Sequence, residues 1–150
     1  MRLGLIAIAA VFAATSVWAH QGATGIVKER MDAMKSVKGA MKILAPIMKG
    51  DVAYDAGVVR IQAEILAAKG GSNMTDMFPK GSTQHPSEAL PAIWKDWDEF
   101  VEIANRLETS AIALATNAAN PRDGSATDPW KAFDTVVGTC RACHDDFRKE

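Results

Sequence analysis

Aromatic residues are scarce at 7%, and there are only two cysteines, Cys140 and Cys143, three positions apart. A pair so spaced cannot build a framework of several disulfides. No block of like charge occurs, and 17 Lys and Arg against 18 Asp and Glu leave a net charge of −1. The electrostatic footprint of a nucleic-acid binder is therefore missing. Missing too are a strand-like alternation of apolar and polar residues and any internal repeat of roughly 20 to 50 residues. What is there is a chain of 150 residues, 48% hydrophobic and drawing mainly on Ala and Met. That is about one domain, with the composition of a helical protein and enough apolar material for a single core.

The only long apolar run lies at the start. Met1-Arg2 give a short positive beginning, Leu3 to Ala14 are apolar, and Val17-Trp18-Ala19 closes the segment with small residues around the bond to be cut. This is the pattern of a secretory signal peptide over 1–19. A membrane-spanning helix needs ~20 apolar residues, and this run stops at Thr15-Ser16. The expected mature domain, 20–150, therefore works in the periplasm and is not embedded in the membrane.

Four amphipathic segments follow by helical spacing. The first, Gly25 to Lys49, repeats Val27, Met31, Met34, Val37, Met41, Leu44 and Met48, is expected to kink at Pro46, and stops at Gly50. The second runs from Tyr54 to Lys69, with Asp55 as a cap and Gly70-Gly71 as its stop. Residues 70 to 86 read as a loop with Met77-Phe78 as an apolar island. The third helix starts between Ser87 and Ala92 and carries the stripe Ile93, Trp97, Phe100, Ala104, Leu107, Ala111 and Leu114. The fourth opens with Asp128 as N-cap and Pro129 at the first helical position. On it Phe133, Val136 or Val137, Cys140, His144 and Phe147 share a face. The expected fold is all-α, an antiparallel four-helix bundle with up-down-up-down connections.

Cys140-Arg141-Ala142-Cys143-His144 fits the C-x-x-C-H pattern of covalent haem attachment. Positions i, i+3 and i+4 of a helix lie on one face. Two thiols can thus bond to the two vinyl groups of one haem c per chain while the next imidazole reaches the iron. Other uses of the cysteines fit less well. A redox dithiol sits at a helix N-terminus near a βαβ unit, whereas these fall deep in a helix. A zinc site would have only His20 and His85 as further nitrogen donors, and a plain disulfide would leave His144 unexplained. No role is assigned to His20 or His85.

Haem attachment close to the C-terminus on the last helix of a bundle resembles class II cytochrome c, meaning cytochrome c-prime and its low-spin relatives. The resemblance spans the mature chain and includes Arg30-Met31-Asp32-Ala33-Met34, Lys49-Gly50 before Tyr54-Asp55, Phe78-Pro79, Ile93-Trp94, and Cys143-His144-Asp145-Asp146-Phe147-Arg148. It implies a bundle enclosing the haem, Arg30 paired with a haem propionate, and Phe78 as a loop aromatic covering the haem. A lone apolar anchor is the plainer use of Phe78. A homodimer through the first two helices is the assembly that the resemblance allows.

The sixth coordination position decides what such an iron does. At roughly 1.5 Å per residue, His144 lies ~7 Å from the end of its helix, Met34 ~13 Å from the start of the first, and Met41 ~24 Å along it. In an antiparallel pair Met31 and Met34 therefore both sit near the level of His144, and spacing leaves both open. The resemblance selects Met34, since the distal residue there comes four positions after an Arg, as Arg30 does here. A thioether is a soft donor that favours reduced iron and suits electron transfer. Arg148, one turn past His144, serves either the proximal face or a propionate, or complements the helix dipole. Trp94, Trp97 and Trp130 read as packing. No general base, nucleophile or substrate pocket is evident, so an enzyme is not expected. The expected function is a single-electron carrier between periplasmic redox partner proteins, with His144 and Met34 on the iron. The alternative is a five-coordinate protein that binds nitric oxide or carbon monoxide.

Overall fold

A computed structural model describes residues 22–120 and 122–150; the leader expected over 1–19 lies outside them. Six helices are present among the described residues: α1 (Gly25–Lys49), α2 (Ala56–Ala67), α3 (Gly71–Thr75), α4 (Ala92–Lys95), α5 (Trp97–Asn117) and α6 (Pro129–Phe147). The long helices α1, α2, α5 and α6 make the four-helix bundle, with α1 packed on α2, α2 on α5 and α5 on α6. No described helix is long and apolar enough to cross a membrane.

Local chemistry sets the ends of these helices. α1 continues through Pro46 and ends at Gly50, whose φ of 87° few other residues tolerate. Its N–H donates to the carbonyls of Ile47 and Pro46. The Asp55 carboxylate accepts from the N–H of Val58 at 3.0 Å and opens α2. At α6 the Asp128 carboxylate accepts from Trp130 N at 2.8 Å, with Pro129 occupying the first turn where no N–H is needed.

Two expectations are corrected. The third helix is not continuous: Asp96 leaves helical geometry at φ −114°, ψ 46°, splitting it into α4 and α5. The break turns Trp97 off the buried stripe, and it is 36% exposed. The segment after Gly70, expected as plain loop, contains α3. Its start is pressed so closely on α5 that a Cβ on Gly70 would lie 2.6 Å from the backbone nitrogen of Glu108.

The dense core runs through Leu44, Val59, Leu66, Phe100, Leu114 and Val136, all fully buried. Phe100 meets Phe78 of the long connection and Phe147 of α6 edge-on, with centroids 4.8 and 5.5 Å away. Trp130 stacks on Tyr54 at 4.7 Å and donates its indole N–H to Met48 O. Trp94 donates to Phe78 O. All three contacts are packing or anchoring roles.

Candidate cofactor site

Between α1, α5 and α6 the core gives way to a cavity of about 750 Å³. On the α1 side it is walled by Met31, Met34, Val37 and Met41, which are half-buried or exposed although they continue the helix's apolar stripe. On the opposite side α6 presents Val137, Cys140, Cys143 and His144, while Phe100, Ile103 and Leu107 of α5 form the floor. Arg30, Phe78 and Arg148 also line it. The residues that the sequence singles out, drawn from both ends of the chain and from the long connection, thus border one space. Met41, which spacing sets deeper, borders it too.

Arg30 is 6% exposed and has no carboxylate partner among the described residues. Its guanidinium donates to Met77 O at 2.9 Å, to Ser82 Oγ at 2.7 Å and Ser82 O at 3.2 Å, and to Ser87 Oγ at 2.9 Å. It lies 4.0 Å from the centroid of the Phe78 ring, a cation over an aromatic face. One side chain of α1 therefore latches the long connection over the cavity. Burial lowers its pKa, as expected of a cation removed from water. Sequence reasoning missed Ser82 and Ser87, because a loop serine carries no local sign of a distant arginine.

The end of α6 is tied down in a similar way. Leu90 N donates to Phe147 O at 2.9 Å and Lys149 N to Glu88 O at 2.8 Å, so the strand-like pair Ala89 and Arg148 fixes the chain beside the cavity. The Arg148 guanidinium is held by the Glu88 carboxylate at 2.7 Å, an exposed ion pair.

The electrostatics favour metal ligation over thiol chemistry. Burial pushes both thiols up, and Cys143, with Cys140 adjacent, to about 11. Such a thiol is protonated near neutral pH and a poor exchange nucleophile. Burial, and then the charge of Arg148, lowers the pKa of His144. The neutral imidazole so favoured is the form with a lone pair for a metal. No three His, Cys, Asp or Glu side chains among the described residues gather as a metal site of their own, which weighs against zinc. One imidazole, two thiols a helical turn apart, and thioethers across an apolar space form a donor set suited to haem. The volume falls within the roughly 300 to 1,000 Å³ of cofactor pockets.

The family profile described as Cytochrome C' matches residues 25–148. Among curated proteins, cytochrome c-556 of Agrobacterium fabrum is 34% identical over 148 residues, covering 99% of this chain and 97% of the relative. Cytochrome c' of Rhodopseudomonas palustris is 29% identical over 126 residues, 83% of this chain and 82% of the relative. Among solved structures, cytochrome c prime from Shewanella frigidimarina superimposes with a TM-score of 0.72 at 26% identity, covering 83% of this chain and 94% of that one. A carbon-monoxide-bound variant of cytochrome c prime from Alcaligenes xylosoxidans gives 0.69 at 26% identity, over 83% and 94%.

Proposed function

The chain belongs to the cytochrome c' family, and from that premise we propose that it is a periplasmic single-electron carrier with one haem c in the cavity between α1 and α6. The family assignment carries the coarser statement, a c-type haem protein that carries electrons or binds gas. The finer reading is carried by one observation: Cys140, Cys143 and His144 face the thioethers of α1 across a single apolar cavity.

In this reading haem supplies the one-electron couple, and the protein supplies binding, orientation and dielectric. Cys140 and Cys143 hold the group through thioether bonds. His144 ligates from α6, and its lowered pKa favours the neutral form that ligation requires. Met34 ligates from α1, and its soft sulfur favours the reduced state. Arg30, buried and in no ion pair among the described residues, is a natural counter-ion for a propionate, while its bonds to the long connection keep Phe78 at the cavity. Arg148 sits near His144, tuned by its ion pair with Glu88.

The second reading, an open distal side that binds carbon monoxide or nitric oxide, draws on the carbon-monoxide-bound relative. Purified holoprotein separates the two. Low-spin absorption bands and indifference to carbon monoxide are expected for the carrier; a high-spin spectrum with ready uptake takes Met34 off the iron. A colourless product from cells able to mature c-type cytochromes, with the mass of the bare polypeptide, removes both.

A further inference from the structure

We infer that the mouth of the cavity is a cationic docking face for a redox partner that presents a carboxylate-rich surface. The inference rests on the electron-carrier reading above and on an asymmetry of charge. The whole chain is nearly neutral, with 17 cations and 18 anions. Yet α1 alone carries six Lys and Arg against Glu29 and Asp32. α5, on the other side of the core, carries four acids against the single cation Arg106.

The two helices meet the cavity differently. α5 turns apolar side chains into it, Phe100, Ile103 and Leu107, and leaves Asp98, Glu99 and Glu102 exposed on its far face. α1 lines it with Lys35 and Lys38 as well as its methionines. Lys35 is 72% exposed in its side chain and shares Asp32 with Lys28. Lys38 and Lys42, on the following turns, are exposed and have no carboxylate within ion-pair distance among the described residues. Among the described residues the only acid lining the cavity is Glu88, and Arg148 pairs with it; Asp145 and Asp146 lie beside His144 on α6, exposed and outside the lining. The excess positive charge is therefore concentrated where a cofactor edge would face solvent.

Exposed lysines add little binding energy, but a one-sign field at the rim steers encounter and selects partners by charge. At the mouth the field is set by the nearby lysines, because charges beyond about 8 Å are screened at physiological ionic strength. An anionic partner is thus drawn to the mouth of a protein whose net charge would repel it.

The test is the oxidation of reduced holoprotein by ferricyanide, in which one electron leaves the protein and reduces ferricyanide to ferrocyanide, followed by stopped flow across a range of ionic strength. A net negative charge acting from afar predicts a rate that rises with salt; the cationic mouth predicts one that falls. In the double variant Lys35→Glu/Lys38→Glu the low-salt rate should drop about tenfold, the slope should reverse, and a cationic tris(phenanthroline)cobalt(III) oxidant should gain. The control Lys49→Glu/Lys95→Glu makes the same charge change away from the cavity lining and should leave the rate and slope as they are.

A rising rate in the wild type, or equal effects of the two double variants, overturns the inference while leaving the haem reading intact. A changed haem spectrum in Lys35→Glu/Lys38→Glu also overturns it, since these lysines would then be holding the cofactor rather than facing a partner. Absence of a c-type spectrum in the wild type defeats the carrier reading itself.

Discussion

Along α1, Leu44 and Ile47 lie in one continuous core with Val59, Ala63 and Leu66, none more than 5% exposed. Earlier on the same helix Met31 is 37% exposed, and Met34 and Val37 are only partly covered. Hydrophobic periodicity is unbroken from one stretch to the other; what changes is the partner. In the first, α2 supplies close-packed side chains. In the second, α6 stands off across the cavity and its own apolar face includes two thiols and an imidazole. One half of the bundle is therefore stabilised by protein against protein, and the other is shaped for something that is not protein. Substitutions in the two halves should then fail in opposite ways.

Leu114 is fully buried and does not line the cavity. Leu114→Ala removes buried methyl groups from the packed core, at about 2 to 5 kcal/mol in denaturant unfolding. The absorption spectrum of the folded holoprotein should be unaltered. A spectral change as large as that of a ligand variant would mean that the two halves are not separable.

Arg30 lies on the boundary between them. Arg30→Ala removes the donors to Met77 O, Ser82 and Ser87, and the expected loss is about 2 to 3 kcal/mol, on the scale of one strong charged hydrogen bond with partial rescue by water. Limited proteolysis should move to residues 77–87, because among the described residues no other side chain on α1 hydrogen-bonds to that stretch. Unchanged cleavage would show that Phe78 and Trp94 alone anchor the connection.

A smaller effect tests the seam between α3 and α5. Gly70→Ala puts a methyl 2.6 Å from Glu108 N and 2.8 Å from its Cα, and backbone cannot swing aside as a side-chain tip can. An overpacking cost of about 1 to 3 kcal/mol is expected, read as a lowered denaturation midpoint. Thermal stability equal to the wild type would show that α3 rides loosely on the bundle.

Legibility in the sequence follows the same division. Caps at Asp55 and Asp128 and the stop at Gly50 could be read because each is made by residues within four positions of one another. The C-x-x-C-H pattern is legible for a like reason, its residues being confined to Cys140–His144 on one helix. Helix α3 was hidden, since it answers to packing against α5, and the break at Asp96 was hidden because the apolar spacing of Ile93, Trp97 and Phe100 runs straight across it. So were the acceptors of Arg30, which lie 47 to 57 positions away and are in part backbone carbonyls. The choice between Met31 and Met34 is the hardest case: both carry the same sulfur, both line the cavity, and helical spacing brings both near the level of His144.

Met34→Leu addresses that choice with the least disturbance to the fold. Leucine matches methionine in volume, and such swaps usually cost less than about 1.5 kcal/mol. At a position only partly covered by protein, the cost should lie at the low end. The sulfur is lost outright. If Met34 ligates, the holoprotein should pass from low-spin to high-spin absorption, take up carbon monoxide, and lose reduction potential as the soft donor to reduced iron disappears. Met31→Leu should leave all three readouts at wild-type values. Were the two variants to exchange behaviour, the thioether would come from one turn earlier on α1, and the hollow half would keep its purpose with a different ligand. Were neither to change the spectrum, both methionines would be wall rather than ligand, and the distal side of the cavity would be open to gas.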